Sequence, residues 1–460
     1  MVAKENCQIR AKLEAIGADE LSIASAQRAY QSLLDGQITQ ISEADLGIMP
    51  QLPLMDQVVT SQTGSAYLDE CVSIKLNGGL GTGMGLQHAK SLLPVKGKKC
   101  FLDFMMAQNR YVKEVSGVQV PGIIMNSPMT SPATMDYLQQ HVHEAQWQEL
   151  VQSRVPKIDQ DTLQPIDWSA QSELEWCPPG HGDLYAALYS SGLLEQLIAQ
   201  GKKYAFISNS DNTGAYLNPG LVRYFVESGL PFMLEVTRRT GADYKGGHLA
   251  IRNSDGQFIL REIAQCAPED QMSFQDIERH QYFNTNNIWV RLDQLQSLLE
   301  QHNGLLPLPI IANQKTVDPR NPTSPAVYQL ESAVGAAIEC FPGAGAICVP
   351  RRRFAPVKTT SDLLALRSDA YHITKHGRMM LVPERQGRPP VVQLCDQYRV
   401  VEHIEALGVP SLKYADALTI TGPTQFESGT VIKGTVHIEN PTSEVMVIPA
   451  GVYEDVEISF

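Results

Sequence analysis

Five glycines fall within the eight residues Gly78 to Gly85 of the run Leu76-Asn77-Gly78-Gly79-Leu80-Gly81-Thr82-Gly83-Met84-Gly85. The run follows Val72-Ser73-Ile74-Lys75-Leu76, which reads as a strand, and is itself followed by Ala89-Lys90-Ser91. Glycine allows positive φ and close backbone approach to a ligand. Successive backbone N–H groups in such a loop form a concave nest for anions. A phosphate-cradling loop beside Lys90 is therefore the first expectation, with a flexible structural turn as the competing account. Both standard templates fail. The dinucleotide fingerprint would need glycine at Met84, Leu86 or His88, and a P-loop would need Gly-Lys-[Ser/Thr], whereas Lys90 follows Ala89.

At 460 residues the chain has room for two or three domains. It contains no apolar run of about 18 residues, so no transmembrane helix is expected. The start, Met1-Val2-Ala3-Lys4-Glu5-Asn6, leads into a polar stretch without a signal-peptide core, and the expected location is cytoplasmic. A net charge of −13 argues against a nucleic-acid partner. It also means that any phosphate site must build local positive potential from N–H groups, lysines and a metal cation. The eight cysteines are scattered with no C-x-x-C pair, which predicts reduced, mostly buried thiols.

Apolar positions Ile9, Leu13, Ile16 and Leu21, then Ala26 to Leu34, recur at helical spacing within an N-terminal segment, 1–70. From 71 to 385, strand-like runs alternate with helical ones. Strands are expected at 122–126, 204–208 and 231–236, and helices at Met135–His143 and Asp183–Ala199. The alternation predicts an α/β domain with a largely parallel sheet covered on both faces. In 386–460 short β-branched runs broken by Gly, Pro, Asn or Thr take over, as in Leu418-Thr419-Ile420 and Val436-His437-Ile438. These predict a β-solenoid or small β-domain.

In an open α/β sheet, ligands sit beyond the carboxyl ends of strands. Four further polar clusters fall near predicted strands or helix starts. In Ser208-Asn209-Ser210-Asp211-Asn212, Asp211 could hold Mg²⁺ through a carboxylate oxygen, although Asn, Ser and Asp are also what turns are made of. In Pro178-Pro179-Gly180-His181-Gly182-Asp183, two glycines bracket His181 and place its ring at a cleft, with Asp183 as a helix N-cap. Asn284-Thr285-Asn286-Asn287 offers amides suited to sugar hydroxyls, or a turn. Pro356-Val357-Lys358-Thr359-Thr360-Ser361-Asp362 pairs a phosphate-seeking lysine with a helix start capped by Thr360 or Ser361. The basic runs Lys96-Gly97-Lys98-Lys99 and Arg351-Arg352-Arg353 read as solvated loop edges.

Taken together, five motifs in order resemble the UDP-glucose pyrophosphorylases (UTP–glucose-1-phosphate uridylyltransferases) of the eukaryotic type: LNGGLGTGMG…AKS (76–91), PPGHGDLY (178–185), SNSDN (208–212), FNTNNIW (283–289) and PVKTTSDLL (356–364). The resemblance implies an α/β nucleotidyltransferase domain (Rossmann-like, with a mixed sheet of GT-A type), a small N-terminal helical part and a C-terminal left-handed β-helix. It implies uridylyl transfer from UTP to glucose 1-phosphate, giving UDP-glucose and pyrophosphate, with Mg²⁺ as cofactor. Leu76, Asn77, Gly78 and Gly79 would face uracil and ribose; Gly81, Thr82 and Lys90 the triphosphate; Gln152 the uracil. Gly180, Asn209 and Ser210 would also contribute to the nucleotide, and Asp211 would ligate the metal. His181, Lys245, Gly246 and Asn286 would face the sugar phosphate, and Lys358 would meet phosphate from both substrates. The chemistry would rest on Lys90, Asp211 and Lys358, with no acid–base role for His181. The β-helix tail would carry a homo-oligomer contact, and no membrane partner is implied.

The chain departs from the family in places. Eukaryotic members usually carry Cys-Lys-Gly-Pro where this one has Leu86-Gln87-His88-Ala89, which removes one loop lysine and brings the loop closer to bacterial relatives. They usually read Asp-Lys-Thr-Arg where it has Arg238-Arg239-Thr240-Gly241. The alternatives are a related enzyme using galactose 1-phosphate or N-acetylglucosamine 1-phosphate, and a non-catalytic sugar-nucleotide binding scaffold.

Overall fold

The computed structural model describes residues 2–36, 40–59, 65–86, 88–141, 147–244 and 246–460. Its centre is a ten-stranded sheet. The strands are β1 (Leu46–Gly47), β2 (Cys71–Asn77), β3 (Gly122–Asn126), β4 (Trp147–Val151) and β5 (Tyr204–Asn209). They continue with β6 (Phe232–Arg238), β7 (His248–Arg252), β8 (Phe258–Arg261), β9 (Tyr282–Arg291) and β10 (Gly345–Cys348). β4, β3, β2 and β5 lie side by side and parallel. β9 then runs antiparallel to both β5 and β6, and β6 is parallel to β10. The sheet is thus mixed, and only its first half meets the expectation of parallel strands.

Every residue of β2 is buried. Val72, Ile74 and Leu76 enter one core with Leu184, Leu188 and Leu295. Cys71 faces the opposite core with Phe206, Phe225 and Trp289. β2 alternates apolar Val72, Ile74 and Leu76 with Ser73, Lys75 and Asn77, so three polar side chains are buried in it as well. The expected helix over 183–199 is two helices, Leu184–Ser190 and Leu193–Ala199, separated at Gly192. The helix expected over 135–143 spans Ser131–Gln140, and residues 142–146 lie outside the described residues.

The N-terminal helices Val2–Ala15 and Glu20–Leu34 pack together. Ile9, Leu13, Ile23 and Tyr30 share one core with Val155, Ile158, Cys177 and Leu330. In the C-terminal part every strand pairing is parallel. One sheet joins 391–394, 411–421, 430–439, 451–454 and 457–459, and a second joins 424–426 to 446–448. The core of this part reaches outward. Leu418, Ile420, Val436 and Ile438 pack in one cluster with Met84 of the glycine loop, Phe101, Phe104 and Leu363. No helix among the described residues is long and apolar enough to cross a membrane. All eight cysteines are free, four of them fully buried.

The basic runs read as solvated edges are so only in part: Lys98, Lys99 and Arg352 are exposed, whereas Lys96, Arg351 and Arg353 are structural. Lys96 Nζ donates to carbonyls at the end of the helix Thr360–Arg367, among them Arg367 O at 3.0 Å, a favourable place for a cation. Arg353 is 1% exposed and forms a two-pronged ion pair with Glu235, Nε–Oε2 and Nη2–Oε1 both 2.8 Å. Arg351 grips Asp243 in the same way at 2.7 and 2.9 Å. Arg353 is buried and Arg351 half-buried because carboxylates from other segments meet them there, which local sequence does not reveal.

Candidate active site

The glycine loop leaves β2 at its carboxyl end and turns back so that Lys90 N donates to Gly79 O at 3.3 Å. Beside it, β5 delivers the second polar cluster. Ser210 N donates to Leu76 O at 3.0 Å, and Ser210 Oγ to Asn77 Oδ1 at 2.8 Å. Asn209 sits in register with Leu76. The parallel pairing of β2 with β5 therefore brings the two clusters to one rim, as the strand-end rule predicts. Across that rim Lys90 Nζ and Asp211 Oδ2 form an ion pair of 2.6 Å, both side chains mostly buried.

Gln152 closes the other side of the loop. A Cβ added at Gly78 would lie 2.2 Å from Gln152 Nε2, so only glycine lets that amide lie across the backbone. Beneath the loop, Lys75 Nζ donates to Ser208 Oγ and Ala215 O, both at 2.8 Å. Burial pushes this lysine down to about 7, assisted by the nearby Arg353 and opposed by Glu235.

The remaining predicted groups meet in a second compartment, a cavity of about 330 Å³ lined by His181, Gly246, Asn286 and Lys358. Lys245 lies outside the described residues. His181 Nδ1 accepts a hydrogen bond from Val334 N at 2.8 Å. That bond leaves the proton of the neutral ring on Nε2, a single N–H donor. Burial lowers the ring to about 4, so it is neutral at physiological pH. Lys358 Nζ lies 5.3 Å from the centre of the Phe283 ring, which forms part of the wall.

Asn286 stands on a β-bulge rather than a turn. β9 pairs with β6 on either side of a register shift, which leaves Thr285 and Asn286 unpaired, and Asn286 has φ +54°. Asn284 Oδ1 accepts Asn286 N at 2.9 Å and Asn284 Nδ2 donates to Asn286 Oδ1 at 2.8 Å, which stabilises the bulge. Such bulges re-aim a side chain out of the ladder.

One expected helix cap is corrected, and a second, Asp183, holds the N-cap position without a capping bond. Thr359 caps the helix Thr360–Arg367, in a capping box with Asp362, where Thr360 or Ser361 was expected. Asp183 makes no side-chain cap bond; its Oδ2 accepts Ser153 N at 2.7 Å and Ser153 Oγ at 3.0 Å. Burial pushes the Asp183 carboxyl up to about 6, against the Ser153 hydrogen bonds.

Glu262 is a member of the cavity that the sequence reading missed. Its carboxylate lies under Gly247, 2.4 Å from where a Cβ would stand. Burial raises its carboxyl, with Lys358 and an Asn284 hydrogen bond opposing the rise. No motif marks it, because it follows β8 in a segment with ordinary strand composition. Ser332 and Ala333 also line the cavity, held by the bonds Gly182 N to Ser332 O and Ser332 N to Pro179 O, both 2.9 Å. Thr82, exposed on the loop, opens the short turn Thr82–Met84.

Among the described residues, no group of three or more His, Cys, Asp or Glu side chains could hold a metal ion by itself. Asp211 is the carboxylate of the rim that the glycine loop shares with the end of β5. A single carboxylate suits Mg²⁺, which is held through one or two carboxylates while substrate phosphates and water complete its shell.

The chain matches the family model described as UTP–glucose-1-phosphate uridylyltransferase over residues 23–433. It is 39% identical over 390 residues to the probable UTP–glucose-1-phosphate uridylyltransferase of Schizosaccharomyces pombe, covering 84% of this chain and 76% of that one. Identity to the Saccharomyces cerevisiae uridylyltransferase is 38% over 388 residues, covering 84% and 77%. Among solved structures, the UDP-glucose phosphorylase of Trypanosoma brucei superposes with a TM-score of 0.94 at 43% identity, covering 99% of this chain and 100% of that one. A variant of the Leishmania major UDP-glucose pyrophosphorylase in complex with UDP-glucose gives a TM-score of 0.91 at 43% identity, covering 99% of each chain.

Proposed function

The chain belongs to the UTP–glucose-1-phosphate uridylyltransferase family, and from that premise we infer how its own residues carry out the reaction. The enzyme transfers the uridylyl group of UTP to glucose 1-phosphate, giving UDP-glucose and pyrophosphate, reversibly. The observation that carries the residue assignment is the meeting of two compartments: a glycine loop with Lys90 and Asp211, and a polar cavity with His181, Asn286 and Lys358.

A phosphate oxygen of glucose 1-phosphate attacks the α-phosphorus of UTP in line, and pyrophosphate leaves. The attacking phosphate is already ionised at neutral pH, so no base is required. The barrier is set by bringing two polyanions together, and positioning plus charge carry the catalysis. Lys90 meets the triphosphate with the N–H groups of Gly81 and Thr82, while Gly79 lies on the uracil and ribose side. Lys358, beside the cavity, meets phosphate from both substrates. Asp211 would hold Mg²⁺, whose chemistry when bound is to neutralise phosphate charge. Leu76, Asn77, Gly78 and Gln152 face uracil and ribose, with Gly180, Asn209 and Ser210 completing the nucleotide wall.

In the cavity, His181 donates through Nε2–H to the sugar phosphate, and its low basicity agrees with the absence of an acid–base role. Asn286, the Lys245-Gly246 turn and Glu262 offer acceptors and donors to glucosyl hydroxyls. Preference for glucose over galactose 1-phosphate or N-acetylglucosamine 1-phosphate belongs to this reading.

The parts are proposed as an N-terminal helical segment (1–70), a catalytic domain (71–385) and a C-terminal left-handed β-helix (386–460). Support for the last is the unbroken parallel pairing and the inward stacking of Leu418, Val436, Ile420 and Ile438. The tail is also the proposed homo-oligomer contact, since Val447, Val452 and Phe460 are exposed there. A cytoplasmic location fits eight free thiols.

The deciding assay is pyrophosphate release from UTP with a panel of sugar 1-phosphates, with and without Mg²⁺. Turnover is expected to be greatest with glucose 1-phosphate. Preference for another sugar would overturn the specificity, and no turnover with any sugar would overturn the enzyme reading.

A further inference from the structure

Gln152 lies in the irregular segment that follows β4, at the edge of the central sheet. Edge segments have few ladder bonds to hold them, yet Gln152 is 3% exposed and its amide lies across Gly78. On its own segment the backbone bond Gln152 N to Asn126 O, 2.8 Å, ties it to β3. The next residue, Ser153, gives both its N–H and its hydroxyl to one oxygen of Asp183. Asp183 is 6% exposed and ends the His181 loop. A buried carboxylate is costly to keep in an apolar setting, and two donors on one oxygen make it a strong, directional anchor.

We propose that Asp183 is a positioning residue for base recognition: through Ser153 it holds the Gln152 wall against the glycine loop, and so governs affinity and selectivity for the uracil nucleotide. This rests on the reading of Gln152 as a uracil contact in uridylyl transfer. The anchor is asymmetric. The His181 loop does not need it, because Gly182 N, Ser332 N and the Val334 N bond to His181 pin that loop independently. Loss of the Asp183 charge should therefore release the nucleotide side and spare the sugar-phosphate side.

The test uses full-length D183N, S153A and the double variant, assayed with UTP and with CTP. D183N keeps the size of the side chain and an acceptor oxygen but removes the charge. The expected result is a rise of about tenfold in KM for UTP, the loss typical of a hydrogen bond to a charged group. The preference for UTP over CTP should narrow, while KM for glucose 1-phosphate stays within about twofold. The double variant should be no worse than D183N, since the serine acts through the aspartate. Wild-type KM for UTP and wild-type selectivity in D183N would overturn the proposal. So would equal losses for both substrates, or a double variant whose loss is the product of the two single losses. Should D183N fail to fold, S153A carries the test alone. It retains the backbone bond and should raise KM for UTP about threefold at an unchanged melting temperature, and an unchanged KM would overturn the idea. A wild-type protein inert with UTP and glucose 1-phosphate would instead overturn the functional reading beneath it.

Discussion

Lys90 and Asp211 stand 121 positions apart in the chain and meet at 2.6 Å. One follows the glycine loop after β2 and the other follows β5, and the parallel register of those two strands is what brings them together. In the proposed reaction the pair would reorganise on substrate binding, the lysine turning to phosphate and the carboxylate to Mg²⁺. Asp211→Asn should therefore lower kcat about a hundredfold or more and weaken the dependence on Mg²⁺, read as activity against magnesium concentration. A magnesium titration like that of the wild type would remove Asp211 from the metal site.

Lys358 sits at the cavity wall over Phe283, in a segment that its own helix cap already stabilises. Lys358→Ala should reduce kcat by about two to three orders of magnitude with a melting temperature close to the wild type. Retained turnover would exclude it from the site.

Gly78→Ala separates folding from function. The added Cβ meets the far end of the Gln152 side chain at 2.2 Å rather than backbone, so the amide can swing aside. The expected outcome is near-wild-type stability with KM for UTP raised about tenfold. A loss of fold without a nucleotide effect would contradict the placement of Gln152.

His181 should be neutral and protonated on Nε2 throughout the neutral range, which nitrogen-15 NMR of the imidazole reads directly. The folded ring is lowered to about 4 from an ordinary value of 6.5. As pH falls below 6.5 the unfolded chain takes up the proton first, so this group lowers stability progressively down to about pH 4. Asp183 acts in the opposite sense. Its carboxyl, raised to about 6 from 3.8, costs stability as pH rises through that range. His181→Gln should therefore reduce the loss of stability between pH 6.5 and 4.5, by an amount of order 2 kcal/mol, measured by urea unfolding at each pH. An identical pH dependence in variant and wild type would show that the ring is not held neutral by burial.

Removal of residues 391–460 is not a clean test of assembly. It would strip cover from Met84, Phe101 and Phe104, which share the core of the tail. Surface substitutions are the better probe. Val452→Glu at the exposed tail edge should change the sedimentation coefficient with kcat within about twofold, and an unaltered profile would contradict an oligomerising tail.

The glycine loop, the SNSDN and PPGHGD clusters and the Lys358 segment were legible because each is local. Glycine spacing, proline and a helix-capping pattern report backbone geometry within a few residues, and the recurrence of Val72, Ile74 and Leu76 at every second position reports the strand before the loop. The β-bulge under Asn286 was not legible, because the same residue types suit a turn, the competing account of that cluster. Other features depend on what arrives from elsewhere in the chain. Arg351 and Arg353 look like a solvated basic edge until Asp243 and Glu235 meet them. Asp183 looks like a helix cap until Ser153 takes its oxygen, and Glu262 carries no signal until Gly247 and Lys358 close over it. The sequence by itself determined the strand, the glycine loop that leaves it and the kinds of side chain gathered around the candidate site. Only the tertiary structure decided which charges are buried together, because burial and pairing are properties of packed segments and not of neighbours along the chain.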